Sequence, residues 1–149
     1  MPTALTRILL SLLLLLPLAA TAGEADDFAA ASASKQAKLL QGWAAAPTIE
    51  RMPLLQALQQ GRVASDADKR AFIEQNDATW LAVEGEAAAN GTPRKVRLNN
   101  RLRGLTSNAL ASHQLLGDDA ALRLEAAQQL QRNTPAALLP SLESRLNIE

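Results

Sequence analysis

From Asp26 to Ala46 the chain reads DDFAAASASKQAKLLQGWAAA, and Phe28, Leu39, Leu40 and Trp43 can share one stripe of a helix. Asp26 and Asp27 stand where the first turn of that helix favours negative charge. A second helix is expected in TIERMPLLQALQQG, where Ile49, Met52, Leu55 and Leu58 recur at three-residue steps and Gly61 is a natural stop. Pro53 falls in the first turn, whose N–H groups have no helical partner, so it costs this helix little. A third and longer helix is expected from about Val96 to about Leu116. There Leu98, Leu102, Leu105 and Ala109 make one face, and Gly117 ends the run.

The stretch 118–146, DDAALRLEAAQQLQRNTPAALLPSLESRL, has the helix pattern of HEAT-type repeats. Leu122, Ala126 and Leu130 are expected to face inward, Asp118 or Asp119 to cap the helix, and Arg123 to pair with an aspartate across the turn. Residues 37–58 line up with residues 127–146 once a short gap is allowed, which suggests a repeated helix pair with material inserted between the copies. Chance similarity in such Ala- and Leu-rich text is the competing explanation. The insert spans about 62–93. Its first part, RVASDADKRAFI, reads either as two short strands around an Asp-rich turn or as a helix capped by Ser65. ATWLAVEG is the most strand-like text in the chain, and Asn90-Gly91 marks a turn. The fold class is therefore mainly all-α: antiparallel helix pairs of HEAT-like type with a small β-hairpin insert.

Composition sharpens this. Tyrosine and cysteine are absent, so no disulfide contributes and stability must come from packing. Residues 1–22 place Arg7 before an apolar run from Ile8 to Ala20 that closes on Ala20-Thr21-Ala22. That is the layout of a secretory signal peptide, and the run is short of the roughly 20 residues a spanning helix needs. The chain is read as a signal peptide at 1–22 and one exported domain at 23–149. With 15 cations against 15 anions, general attraction to nucleic acid or to an anionic membrane is not expected.

The charge is nonetheless uneven. KVRLNNRLRG, residues 95–104, holds four cations, with Arg94 just before it. Cations at a helix start oppose the helix dipole, so they call for a compensating anion or for a role outside the helix. Arg97, Asn99, Asn100, Arg101 and Arg103 are the candidate residues. Either the arginines pair with insert carboxylates such as Asp77, Glu84 or Glu86 and clamp the insert, with the asparagines bonding its backbone, or the cluster faces a partner. No stacking aromatic lies among these cations, which argues against nucleic acid. His113 is the single histidine and reads as a surface or packing residue. No catalytic, cofactor or metal site can be assembled: no nucleophile motif surrounds the serines, no phosphate loop is present, and Trp43 and Trp80 read as core.

KVRLNNRLR, followed by Asp119, Arg123, Leu124, Ala126 and Ala127, resembles the N-terminal extracytoplasmic region of the urea ABC transporter permease. PLLQALQQGRV resembles the helix that precedes the hairpin of that family. The resemblance covers most of residues 26–146 and implies a non-catalytic, periplasmic domain at the inner membrane. Its implied partners are the membrane part of the permease, the other transporter subunits and the solute-binding protein. Two departures stand beside it: the family continues into a multi-span permease, and the insert matches its hairpin text poorly. The second reading is a free-standing helical-repeat interaction module of the cell envelope.

Overall fold

The computed structural model describes residues 23–76, 79–83, 85 and 88–133. The signal-like segment, the carboxylates Asp77, Glu84 and Glu86, and the second helix of the expected C-terminal pair lie outside them.

The first expected helix is two helices. α1 (Glu24–Ala30) carries Glu24, Asp26 and Asp27 in its first turn, and α2 (Ala33–Ala45) starts anew after Ser32. The cause is Ser32, whose side chain takes the Lys35 N–H at 3.4 Å and so caps α2 instead of continuing α1. The Gln36 side chain then donates to Phe28 O at 3.1 Å, a second bond on a carbonyl that also accepts the Ala31 N–H at 3.2 Å. The kink also brings the Phe28 ring within 5.4 Å of Trp43, and both are buried.

A short 3-10 turn, Ile49–Arg51, leads into α3 (Met52–Gln59), with Pro53 in the first turn. Gly61, at φ 67°, ends it. The Arg62 N–H bonds Ala57 O at 2.8 Å and the Gly61 N–H bonds Leu58 O at 3.1 Å. Those two bonds are a Schellman motif, which needs a left-handed residue where glycine stands.

The insert takes the strand reading, and it goes further than a hairpin. β1 (Val63–Ser65), β2 (Ala71–Glu74), β3 (Trp80–Ala82) and β4 (Arg94–Lys95) form one antiparallel sheet in the order β3-β2-β1-β4. Val63 lies opposite Ile73, Phe72 opposite Ala82, and Ala64 opposite Lys95. An isolated hairpin is marginal in water, and the extra strands with a covering helix remove that problem. α1 packs on β1 and β2, and the Asp26 carboxylate accepts the Ala71 N–H at 2.6 Å. Val63, Ala64, Ala71 and Phe72 are buried.

The longest described helix, α4 (Asn100–Gln114), packs against α2, α3 and the last described helix, α5 (Ala120–Asn133). It starts at Asn100 and not at Val96, because Arg94-Lys95 add to the sheet edge and the Val96 N–H bonds Val63 O at 2.9 Å. Leu102, Ala109 and Leu110 carry its core face. Asp119 caps α5, its carboxylate accepting the Ala121 N–H at 2.8 Å. Arg123 donates to Gly117 O and Asp118 O at 3.0 and 2.8 Å, so it holds the turn through carbonyls and not through a carboxylate. Ala126 and Leu130 are buried, but Leu122 is 45% exposed, so only the later part of the expected stripe faces inward. No described helix is long and apolar enough to cross a membrane.

Candidate functional site: a basic groove between the third helix and the sheet edge

The change in where α4 begins redistributes the cations. Arg94 and Lys95 are strand residues and Arg97 lies on the extended link, so only Arg101 and Arg103 stand in the first turn. Asn99 is the N-cap: its side-chain oxygen accepts the Leu102 N–H at 2.9 Å. Asn100 opens the helix, exposed. Lys95 is held by a carboxylate of the insert, Glu74, at 2.7 Å. Arg97, Arg101 and Arg103 are exposed, and no guanidinium among them has a bonding partner among the described residues.

Lys95, Val96, Arg97, Leu98 and Arg103 line one side of a groove of about 690 Å³. Leu58, Gln59, Gln60 and Gly61, the closing turn of α3, line the other. A helix C-terminus carries partial negative charge and favours nearby cations by about 0.3–1 kcal/mol each at exposed sites. Cations unfavourable at the start of α4 are thus favourable beside the end of α3. Arg101 and Asn100 lie outside this groove. The pattern of the sequence could not show this, because the pairing of β4 with β1 is what brings the link to α3.

Two ionic clusters escaped the sequence reading. Asp66 is buried at the β1–β2 turn and accepts the N–H groups of Asp68, Arg70 and Asn90 at 3.0, 2.9 and 3.0 Å. The Arg70 guanidinium adds two bonds at 3.1 and 2.8 Å. Burial alone raises such a carboxyl, but the Asn90 and Arg70 bonds and the charge of Arg70 outweigh it and hold Asp66 below the usual carboxylate value. The repeated aspartates of SDADKR signalled a turn; nothing local signalled that Asn90 would close over it.

The second cluster joins α1, the 3-10 turn and α4. Arg51 forks onto Glu24 at 2.6 and 3.0 Å, donates to Ala46 O at 2.9 Å and lies 5.5 Å over the Trp43 ring. The same guanidinium reaches His113 Nε2 at 3.4 Å. His113 is fully buried, with Nδ1 at 2.7 Å from Ala109 O. A carbonyl only accepts, so Nδ1 carries the proton and Nε2 is the acceptor facing Arg51. Burial, and secondarily the Arg51 charge, lower the His113 pKa, against the opposing pull of the Ala109 carbonyl and Glu24. Both ring nitrogens are engaged, which is a packing role.

No family model, curated protein or solved structure matches this chain. The site therefore rests on its own geometry.

That geometry separates the named residues by their energetics. Asn99→Ala is expected to cost about 1 kcal/mol through loss of the cap. Arg97→Ala, Arg101→Ala and Arg103→Ala should each change stability by less than about 0.5 kcal/mol, as at exposed positions with no partner among the described residues. Urea unfolding of the four variants against the parent checks both statements. A loss of about 1 kcal/mol or more at Arg101 would favour the clamp, whose carboxylates Asp77, Glu84 and Glu86 lie outside the described residues.

Proposed function

We propose that the chain is a non-catalytic, exported helical module that acts as the extracytoplasmic part of a urea ABC transporter permease system. In this reading it sits at the periplasmic face of the inner membrane and docks on the permease part and its associated subunits. α4 and α5, packed together across a capped turn, are then members of HEAT-like helix pairs. The observation that supports the reading best is the surface made by the family-like KVRLNNRLR segment. Its arginines are exposed and unengaged by the described fold, and Arg97 and Arg103 line a groove, as a docking surface requires.

Cross-linking in intact cells that carry the tagged full chain and its neighbouring genes tests the proposal. Recovery of permease and urea-binding subunits, together with slower urea uptake on deletion of the chain, is expected. Export with no transporter subunit captured and unchanged uptake would replace this reading with the free-standing envelope module.

A further inference from the structure

We infer that the groove between the end of α3 and the β4–α4 link takes an acidic, extended segment of a partner protein; this rests on the docking reading above. Lys95, one of the groove's own cations, already holds a glutamate carboxylate at 2.7 Å, which shows the chemistry this wall accepts. Arg97 and Arg103 line the same wall and have no partner among the described residues. Their planar heads suit the two oxygens of a carboxylate. Val96 and Leu98 are half-buried beside the buried Leu58, so apolar surface lies between the cations for a side chain to cover. Opposite them stand the exposed Gln59 and Gln60. Gln60 Oε1 accepts from Arg62 Nε at 2.7 Å, which leaves the Gln60 amide N–H groups as donors for a peptide carbonyl. A volume of about 690 Å³ holds a few side chains, within the usual range for a binding cleft.

The charge around the groove is local. Glu74 and the carbonyl end of α3 offset part of it, and the whole chain carries as many anions as cations. An anionic bilayer needs a broad positive field, whereas carboxylates along an extended chain need only correctly placed partners. An acidic peptide is the better match.

The probe is poly-L-glutamate added to the full chain, read by amide NMR shifts and by a binding isotherm at low and high salt. Phosphatidylglycerol vesicles and inorganic phosphate serve as the competing probes. Shifts confined to Gln59, Gln60, Arg97, Leu98 and Arg103 are expected, with weaker binding as salt rises. The double variant Arg97→Ala/Arg103→Ala should bind about tenfold more weakly or worse. Arg101→Ala, which removes one charge outside the groove, should change binding by less than about twofold. Equal binding by the double variant, an equal loss in Arg101→Ala, or a response to vesicles or phosphate but not to polyglutamate would each overturn the inference. Transporter subunits captured without polyglutamate binding leave the proposed function standing and remove only the peptide; the converse result removes the transporter.

Discussion

Replacing Asp66 by asparagine should cost the fold about 3 kcal/mol, a fall of roughly 10 °C in Tm for a domain of this size. The carboxylate is the acceptor for five donor groups: three backbone N–H groups and two nitrogens of Arg70. An asparagine placed with its oxygen towards Asp68 and Arg70 N–H turns its NH₂ towards the Asn90 N–H and the Arg70 guanidinium. Donors then face donors, and flipping the amide only moves the conflict to the other side. Arg70 is about one-third exposed, so water relieves part of the loss, which places the effect at the low end for a broken buried pair. The damage should spread along the chain, since the Asn90 bond holds the loop that delivers β4 and hence Lys95 to the groove. The sign with pH follows from the lowered Asp66 pKa. Its contribution is complete above the ordinary carboxyl value and is lost below about pH 4, as pH falls through the folded value. Urea midpoints of parent and variant should therefore differ most at neutral pH and converge in acid. A variant within about 0.5 kcal/mol of the parent at pH 7 would mean that Asp66 is not the clasp of this loop.

The helices were legible where a stripe of apolar residues and a stop signal coincided. Leu55, Leu58 and Gly61 are the clearest case, because periodicity, burial and the left-handed turn all agree. Boundaries decided by side-chain capping were harder to read. Ser32 looks like any serine in an alanine-rich helix until its hydroxyl takes the Lys35 N–H. Long-range pairing was not legible at all. Residues 94 and 95 are two cations with no strand signal of their own, and they become β4 only because β1 offers its free edge. The groove inherits that difficulty: its cationic wall was named from the sequence, while the α3 wall of Gln59 and Gln60 came only with the pairing of distant strands. The Arg51–His113 contact spans 62 positions between two helical regions, and periodicity could place each residue inward without matching them.

Acidification through the range below about pH 6.5 should destabilise the protein through His113, and His113→Leu should remove that part of the loss. The folded His113 pKa is lowered, first by burial and then by the Arg51 charge, so the unfolded chain binds the proton more readily. Stability from the neutral ring is complete above the unfolded value, declines as pH falls below it, and levels off once pH is under the folded value. Within that window one proton is worth about 1.4 kcal/mol per pH unit. The geometry gives the same sign. A proton on Nε2 would point at the Arg51 nitrogen 3.4 Å away, setting donor against donor and charge against charge in the core. Arg51 cannot readily withdraw, because Glu24 and Ala46 O hold it and Trp43 lies beneath it. Leucine has similar bulk, carries no proton, and leaves Arg51 with its other partners. The test is the slope of unfolding free energy against pH between 7 and 5, parent against variant. A shallower slope in His113→Leu is expected, with His113→Gln matching it because a neutral amide can still accept from Arg51. Equal slopes in all three proteins would show that His113 keeps its ordinary titration in the fold and that the Arg51 contact carries no charge penalty.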